Sequence, residues 1–289
     1  MSNLTKRLLT ALVGIPFLYF VIKLGGIIFL IFITILAIVA ELEFFKLLES
    51  KNIQLQKYTI LIFTFILVIS SSFGYPIFAF ALTIILIVFF ILELRKKRMD
   101  DYIDRIGLSL FSIIYFGWFL SHAILLRNID NLSEINKYTE SVQGQLDIGF
   151  VALVFVFACT FLNDTGAYFF GKLFGKRKLI SRISPGKTKE GTIAGLILAV
   201  ITALVVNYLF NYPINYIQAI AFGLLIGVTA LFGDLVESSI KRGVGVKDSG
   251  GILPGHGGVL DRFDSLIFVF PVSFYFILIY YLVVGVKVF

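Results

Sequence analysis

The stretch that decides the fold is residues 75–92, YPIFAFALTIILIVFFIL, which carries no charged side chain. A helix of about 20 apolar residues spans the hydrocarbon core of a bilayer. Backbone groups in lipid must find their hydrogen bonds within the protein, which favours a helix over irregular chain. The apolar character is continuous rather than alternating, which is typical of a helix and not of a β-barrel strand. We therefore predict a transmembrane helix here.

Further apolar runs lie on both sides of this one. Together they predict an all-α, polytopic transmembrane protein of about nine spans, at 8–22, 25–40, 58–73, 75–92, 106–126, 148–163, 191–211, 214–236 and 264–286. The break at residues 23–26 leaves a re-entrant pair within 8–40 as an alternative. The chain is 58% hydrophobic and 15% charged, whereas a soluble domain is about 25% charged. We predict one integral membrane domain, 1–289, with an N-terminal half at 1–147 and a C-terminal half at 148–289.

Lysine and arginine residues distinguish the two sides of the predicted membrane. With a cytoplasmic N-terminus and nine alternating spans, all but four of the 25 fall on the cytoplasmic side. The four exceptions are Lys23, Arg127, Lys137 and Lys287. This asymmetry predicts a multi-pass protein of the cell (inner) membrane, with its C-terminus outside. The net charge of +7 then suits membrane orientation and an anionic lipid or nucleotide better than nucleic acid.

Acidic side chains collect at the predicted cytoplasmic ends of three spans. They are Asp164, beside Asn163, at the end of the sixth span, Asp234 and Glu237 at the end of the eighth, and Asp261 and Asp264 at the start of the ninth. Residues three apart share one helix face, so each pair should point one way. Acids at a membrane are costly and usually functional, and clustered carboxylates suit Mg²⁺. The alternative is simple salt bridging to Lys241 and Arg262.

The predicted cytoplasmic loop between the last two spans is rich in glycine and in positive charge. Its sequence, residues 238–264, is SSIKRGVGVKDSGGILPGHGGVLDRFD. Glycines let a backbone approach a ligand closely, and Lys241, Arg242 and Lys247 can hold phosphate groups. His256 stands between two glycines, where little bulk shields it, so we expect it to be functional. His122, in mid-span, is instead expected to be buried and hydrogen-bonded.

A second predicted cytoplasmic loop, residues 164–190, precedes the seventh span. Its Gly186-Lys187-Thr188 triplet resembles part of a phosphate-binding P-loop. That motif needs a glycine where Ser181 stands, and no predicted strand precedes the triplet, so we reject it. A basic loop bearing Ser184 and Thr188 at a helix start still predicts an anion-binding site. The alternative is a solvated loop. Cys159, in an apolar run, is expected to be a packing residue.

Residues 238–264 resemble, over their whole length and without a gap, the signature of the phosphatidate cytidylyltransferase (CDP-diacylglycerol synthase) family. The shared pattern is S-x-I-K-R, four residues, K-D-x-G, then L-P-x-H-G-G-V-x-D-R-F-D. Residues 163–171 and 184–191 are also similar to that family. Its members commonly have two lysines after Ser-Pro, whereas this chain has Gly186 at the first of these positions, which puts in doubt any single role for position 186.

The resemblance implies a fold of transmembrane helices, a homodimer and a cytoplasm-facing cavity open to lipid. It implies a nucleotidyltransferase whose catalytic half is 148–289, transferring CMP from CTP to phosphatidate and releasing pyrophosphate. It also implies Mg²⁺, with a monovalent ion such as K⁺ close by. The predicted catalytic residues are Asp234, Asp261, Lys241, Arg242, His256 and Arg262. The predicted substrate-binding residues are Ser184, Lys187, Thr188, Lys247, Asp248, Asp164 and Asn163. The predicted metal ligands are Asp234, Asp261, Asp264 and Glu237.

Three other functions use similar features. An ion-coupled transporter also keeps carboxylates in its helices, but near mid-bilayer on broken helices rather than beside a basic loop. A CDP-alcohol phosphatidyltransferase opens its motif with Asp-Gly, a pair absent from this sequence. A CTP-dependent lipid-alcohol kinase is the nearest alternative, and the His-Gly-Gly segment followed by Asp261 and Asp264 favours phosphatidate over it.

Overall fold

The computed structural model describes residues 3–96, 101–131, 146–250 and 257–285. The first helices along the chain are α1 (Asn3–Leu24), α2 (Gly26–Glu49), α3 (Lys57–Ser71), α4 (Tyr75–Leu94) and α5 (Tyr102–Ser112). A π-helical turn (Ile113–Phe119) joins α5 to α6 (Leu120–Arg127), and a 3₁₀ turn (Ile129–Asn131) follows. The later helices are α7 (Ile148–Phe174), α8 (Lys189–Phe210), α9 (Tyr216–Val244) and α10 (Leu260–Gly285). A hairpin of β1 (Lys178–Ile180) and β2 (Ser184–Thr188) lies between α7 and α8.

The all-α polytopic class is confirmed. In the described part of the chain, seven helices are long and apolar enough to cross a membrane. They are Gly26–Glu49, Tyr75–Leu94, Tyr102–Arg127, Ile148–Phe174, Lys189–Phe210, Tyr216–Val244 and Leu260–Val283. The other two predicted spans fall on shorter apolar stretches, Leu12–Leu24 within α1 and Lys57–Ser71, which is α3. The number of nine spans and the sides of the two termini therefore stay predictions.

Several helices extend beyond the predicted spans. We expected spans to end at residues 40, 163 and 236, but α2 continues to Glu49, α7 to Phe174 and α9 to Val244. Hydropathy detects only the part of a helix that suits lipid, whereas helical hydrogen bonds continue where charged residues follow. As a result Asp164, Lys241 and Arg242, which we placed at or beyond span ends, lie within helices.

The chain forms two compact units. The first unit is Met1–Leu125 with Val244–Arg262, and the second is Leu126–Gly243 with Phe263–Phe289. This grouping follows contacts and does not coincide with the predicted halves at 1–147 and 148–289. The prediction of a single integral domain is not tested by it.

Aromatic side chains fill the interior of the first unit. The rings of Phe78 and Trp118 stack with centroids 4.1 Å apart, and the ring of His122 meets both edge-on. The Nδ1 atom of His122 lies 2.8 Å from the carbonyl oxygen of Trp118, and the residue is fully buried. The expectation of a buried, hydrogen-bonded histidine is confirmed.

Small residues bring the helices of the second unit close together, as is common in membrane proteins. A Cβ atom added to Gly195 of α8 would lie 2.7 Å from the carbonyl oxygen of Asn163 of α7. One added to Gly233 of α9 would lie 2.7 Å from the carbonyl oxygen of Asp264. These close approaches set Asn163 and Asp264 against neighbouring backbones. Cys159 is fully buried in this unit, which confirms its packing role.

Candidate active site

A cavity of about 600 Å³ opens in the second unit, beside the hairpin and the helices that flank it. Its polar lining residues are Asn163, Asp164, Tyr168, Lys172, Lys178, Ser184, Lys187, Thr188, Thr192 and Asp234. Its apolar lining includes Ala167 and Leu231. The cavity therefore presents lysines, hydroxyl groups and carboxylates beside an apolar wall. It brings together Asn163, Asp164, Ser184, Lys187, Thr188 and Asp234 from the predicted site.

The hairpin fixes the basic side of the cavity. Strand β1 pairs antiparallel with β2, with Lys178 opposite Thr188. The Thr188 hydroxyl then accepts the N–H of Gly191 at 3.2 Å and so caps α8. Glu190, in the first turn of α8, accepts the N–H groups of Lys176 and Arg177 at 3.1 Å each. The hairpin is thus attached to the start of α8.

The segment Ser184–Thr188 was predicted as a loop, and this was wrong because it forms strand β2. Pro185 and Gly186 are poor strand formers, so the local sequence does not predict a strand at this position. Pairing with β1 overrides the local preference. The helix that follows begins at Lys189, two residues before the predicted span at 191–211, and Thr188 is the residue that caps it.

Lys187 and Asp234 form an ion pair in the cavity wall. The Lys187 Nζ lies 2.6 Å from the Asp234 Oδ2, and both side chains are partly exposed. The Ser238 hydroxyl donates to Asp234 Oδ1 at 3.2 Å. Asp164 accepts the side-chain N–H of Asn163 at 3.2 Å. A lysine from strand β2 and an aspartate from helix α9 thus meet on the surface that a ligand would contact.

Further acids of the second unit lie next to this pair. Asp264 is close enough to Asp164, Asp234 and Glu237 for their charges to interact, and its Oδ1 accepts the N–H of Ser265 at 2.7 Å. Glu237 is fully buried and pairs with Lys241, whose Nζ lies 2.6 Å from Glu237 Oε2. The second unit therefore gathers four of the predicted acids, from α7, α9 and α10.

Arg242, which we predicted to contact phosphate, connects α9 to the hairpin. Its Nε donates to the carbonyl oxygen of Ile183 at 3.4 Å, and the residue is exposed. This contact holds the turn before β2 near the end of α9. Lys241 differs from Arg242 because it is nearly buried against Glu237.

The remaining predicted site residues belong to the first unit. The Asp261 carboxylate accepts the backbone N–H groups of Ser249 at 3.0 Å and of Gly258 at 2.8 Å. Lys247, Asp248 and Arg262 are exposed. His256 lies outside the described residues.

Glu43 is a residue that our sequence reasoning missed. It is 1% exposed, and its carboxylate accepts the N–H groups of Val259 at 3.0 Å and Leu260 at 2.8 Å. We had ended the second span at residue 40 and so treated Glu43 as loop. The available signal was an acid three residues beyond an apolar run in a helix that had no stop signal.

The acidic cluster of the second unit has the donor chemistry of a magnesium site. Among the described residues, no group of three or more acidic, histidine or cysteine side chains is arranged so that it could coordinate a metal ion by itself. Mg²⁺ does not require one, because it commonly binds through one or two carboxylates, with waters and substrate phosphates completing its shell. Asp234 and Asp264 are carboxylates of the right kind, so the residues fit the ion.

Fold and site together define a polytopic membrane protein with a polar, lysine-bearing cavity at its helix ends. By its sequence the chain belongs to the cytidylyltransferase family, whose family model matches residues 5–280. It is therefore a membrane enzyme of that family, and the resemblance seen in residues 238–264 is confirmed.

Relatives named phosphatidate cytidylyltransferase match nearly the whole chain. The protein from Bacillus subtilis is 35% identical over 286 residues, which cover 97% of this chain and 100% of the relative. The one from Synechocystis is 32% identical over 287 residues, covering 95% and 97%. The Escherichia coli protein YnbB, named uncharacterized, is 42% identical over 171 residues, covering 57% and 53%.

Proposed function

We propose that this protein transfers CMP from CTP to phosphatidate and forms CDP-diacylglycerol and pyrophosphate. The observation that carries the proposal is the Lys187–Asp234 pair in a cavity of about 600 Å³, in a chain of the cytidylyltransferase family. The names of the relatives from Bacillus subtilis and Synechocystis supply the lipid substrate. A nucleotide and a lipid headgroup are both anionic, as a lysine-bearing cavity requires.

The reaction is an in-line displacement at the α-phosphorus of CTP. A phosphate oxygen of phosphatidate forms the new P–O bond, and the bond to the β-phosphate oxygen breaks with loss of pyrophosphate. The attacking oxygen is already anionic near neutral pH, so no strong general base is needed. The main barrier is repulsion between two anions, and catalysis consists of positioning them and neutralising their charge.

Lysine side chains supply part of that neutralisation. Lys187, Lys172 and Lys178 all line the cavity and can contact phosphate oxygens as point charges. Magnesium held by Asp234 and Asp264 would supply further charge neutralisation at the phosphates. With such a cation at Asp234, Lys187 would be available to contact a substrate phosphate. The roles of Asp261 and Glu237 as ligands, and of a monovalent ion, remain predictions.

The apolar side of the cavity suits the lipid substrate. Ala167 and Leu231 belong to its lining, and Tyr168 is 62% exposed at the same place. The next turn of α7 exposes Phe169, Leu173 and Phe174, which is unfavourable in water and favourable against acyl chains. A phosphatidate molecule held in the bilayer can therefore present its headgroup to the lysines. We further propose that this end of α7 faces the cytoplasm and that the protein is a homodimer.

The experiment that tests the proposal is an assay of the purified protein with radiolabelled CTP and phosphatidate micelles. We expect CDP-diacylglycerol and pyrophosphate in equal amounts, loss of both on chelation of divalent ions, and recovery with Mg²⁺. Labelling CTP separately at the α- and γ-phosphates distinguishes the alternatives. Transfer of the γ-phosphate to a lipid alcohol, with CDP as product, would show a kinase instead. Ion flux into proteoliposomes without any CTP turnover would show a transporter.

A further inference from the structure

Helix α10 begins without a capping side chain of its own. The residue before α10 is Val259, which is therefore the N-cap, and one residue earlier the N–H of Gly258 donates to Asp261 at 2.8 Å. A serine, threonine, asparagine or aspartate at the N-cap would accept an N–H from the first turn, but a valine side chain has no acceptor atom. The N–H groups of Val259 and Leu260 therefore need another acceptor.

Glu43 of α2 supplies that acceptor. Its Oε1 accepts the N–H of Val259 at 3.0 Å and its Oε2 accepts that of Leu260 at 2.8 Å. A carboxylate at a helix N-terminus also interacts favourably with the helix dipole. Glu43 and Val259 are 216 positions apart in sequence, so the cap comes from a different helix of the first unit.

Ser249 connects the two carboxylates. Its backbone N–H donates to Asp261 at 3.0 Å, while its hydroxyl donates to Glu43 at 3.2 Å. Glu43 thus contacts Ser249 on one side and Val259 and Leu260 on the other. Loss of its charge would loosen Ser249 and the backbone that follows Gly258, and the N–H groups of Ser249 and Gly258 are the ones that hold the Asp261 carboxylate.

The glycines on either side of this contact make room for it. A Cβ atom added to Gly250 would lie 2.7 Å from Glu43 Oε1, and one added to Gly258 would collide with the Glu43 carboxylate and the Ser249 hydroxyl. Neither Gly250 nor Gly258 has a positive φ, so the backbone torsions there do not require glycine. Glycine is required at both positions because a Cβ atom would occupy the space of the Glu43 carboxylate.

We propose that Glu43 is the positioning residue that fixes Asp261, through Ser249 and the backbone at Val259 and Leu260, for cytidylyl transfer. The expected change in kcat rests on the proposed function. The expected loosening of Ser249 and its neighbours rests on the hydrogen-bond geometry alone. Glu43 acts through backbone N–H groups and does not itself touch substrate. Outer-shell partners of this kind commonly change activity or metal affinity by about 10–100-fold when removed.

The test compares Glu43→Gln with Glu41→Gln in the full-length protein. Glutamine keeps the size of Glu43 but places an amide N–H₂ against a backbone N–H, so one of the two cap bonds is lost. Glu41 is equally buried on the same helix but accepts only the hydroxyls of Thr64 at 2.9 Å and Ser112 at 2.8 Å among the described contacts. A glutamine oxygen can accept those, so Glu41→Gln is the matched control.

Two readouts are needed, and the first does not depend on activity. We expect trypsin to cleave after the exposed Lys247 about tenfold faster in Glu43→Gln than in wild type or Glu41→Gln, since local opening governs such cleavage. We expect kcat to fall by about 10–100-fold, with KM for phosphatidate unchanged and the Mg²⁺ concentration needed for half-activity raised.

The possible results distinguish failure of the positioning role of Glu43 from failure of the proposed cytidylyl transfer. Wild-type trypsin rates and kcat in Glu43→Gln would overturn the positioning role while leaving cytidylyl transfer intact. A wild-type protein that makes no CDP-diacylglycerol would overturn the function, and the trypsin comparison would still decide whether Glu43 holds the loop. Should Glu43→Gln not fold, Ser249→Ala removes one bond to the same carboxylate and is expected to show the same changes, reduced in size. Unchanged behaviour of Ser249→Ala in both readouts would then count against the role.

Discussion

The Nζ of Lys187 lies 2.6 Å from Oδ2 of Asp234 in the wall of the cavity. Each side chain comes from a different element, Lys187 from β2 and Asp234 from α9. An ion pair with partly exposed members contributes little to stability, commonly about 0–1 kcal/mol. The pair is therefore better suited to exchange with ligands than to holding the fold.

Replacing Asp234 should abolish turnover without unfolding the protein. Asp234→Asn removes the negative charge that attracts a cation, and loss of one such electrostatic group commonly lowers kcat by about 10²–10³-fold. The measurement is kcat for CDP-diacylglycerol at saturating Mg²⁺, with insertion checked by membrane fractionation. Substantial activity in the purified variant would contradict a metal-binding role.

A matched control for that variant is Asp130→Asn. The Asp130 carboxylate accepts the N–H groups of Ile148 at 3.2 Å and Gly149 at 2.8 Å at the start of α7. Its substitution should lower the melting temperature in detergent, because a capping acceptor is weakened, but leave kcat near the wild-type value. A large drop in kcat for this variant would show that loss of any acid in the second unit disturbs activity.

Lys247 should affect one substrate more than the other. The residue is exposed in a loop whose sequence resembles a nucleotidyltransferase signature. Lys247→Ala should raise KM for CTP more than KM for phosphatidate, and leave the melting temperature unchanged because no core contact is lost. Steady-state kinetics with each substrate varied in turn make the comparison. Unaltered CTP kinetics would refute the assignment.

The main effect of replacing Thr188 should be a loss of stability. Its hydroxyl accepts the N–H of Gly191 at 3.2 Å, and loss of such a cap costs about 0.5–2 kcal/mol. Thr188→Ala should therefore lower the melting temperature in detergent, whereas Thr188→Ser keeps the acceptor and should restore most of the loss. Equal melting temperatures for the alanine and serine variants would mean that the cap does not stabilise α8.

Substitution by alanine should be harmful at Gly195 and harmless at Gly186. A Cβ atom at Gly195 would lie 2.7 Å from the carbonyl oxygen of Asn163, whereas one at Gly186 would meet nothing within 4 Å. Gly195→Ala should destabilise the protein by about 1–3 kcal/mol through overpacking and shift α8 away from Asn163 and Asp164. Gly186→Ala should be nearly neutral. Thermal melting of both variants, with kcat for Gly195→Ala, tests the difference.

Much of the fold follows from local sequence. A run such as residues 75–92 determines a helix by composition alone, and α4 (Tyr75–Leu94) lies where it was predicted. Helix ends were harder, because α2 continues through Glu41 and Glu43 to Glu49, where hydropathy already falls. Strand β2 was missed, since Pro185 and Gly186 form a strand only through pairing with β1.

The site was predictable in its residue types and not in its partners. The i, i+3 acids marked Asp234, Glu237, Asp261 and Asp264, because helical spacing is a local property. That Asp234 meets Lys187, and that Asp261 instead contacts backbone N–H groups, depends on how separate elements pack. Glu43 shows the limit most clearly, because nothing near it in sequence indicates a contact with Leu260.

By itself, the sequence determined that this chain consists mainly of apolar helices long enough to span a membrane, with charges at their ends, since hydropathy and helix formation depend on neighbouring residues. Only the tertiary structure decided which charge meets which. Glu43 and Leu260 are 217 positions apart, and such a contact forms because packed helices bring together side chains and backbone groups that no local pattern links.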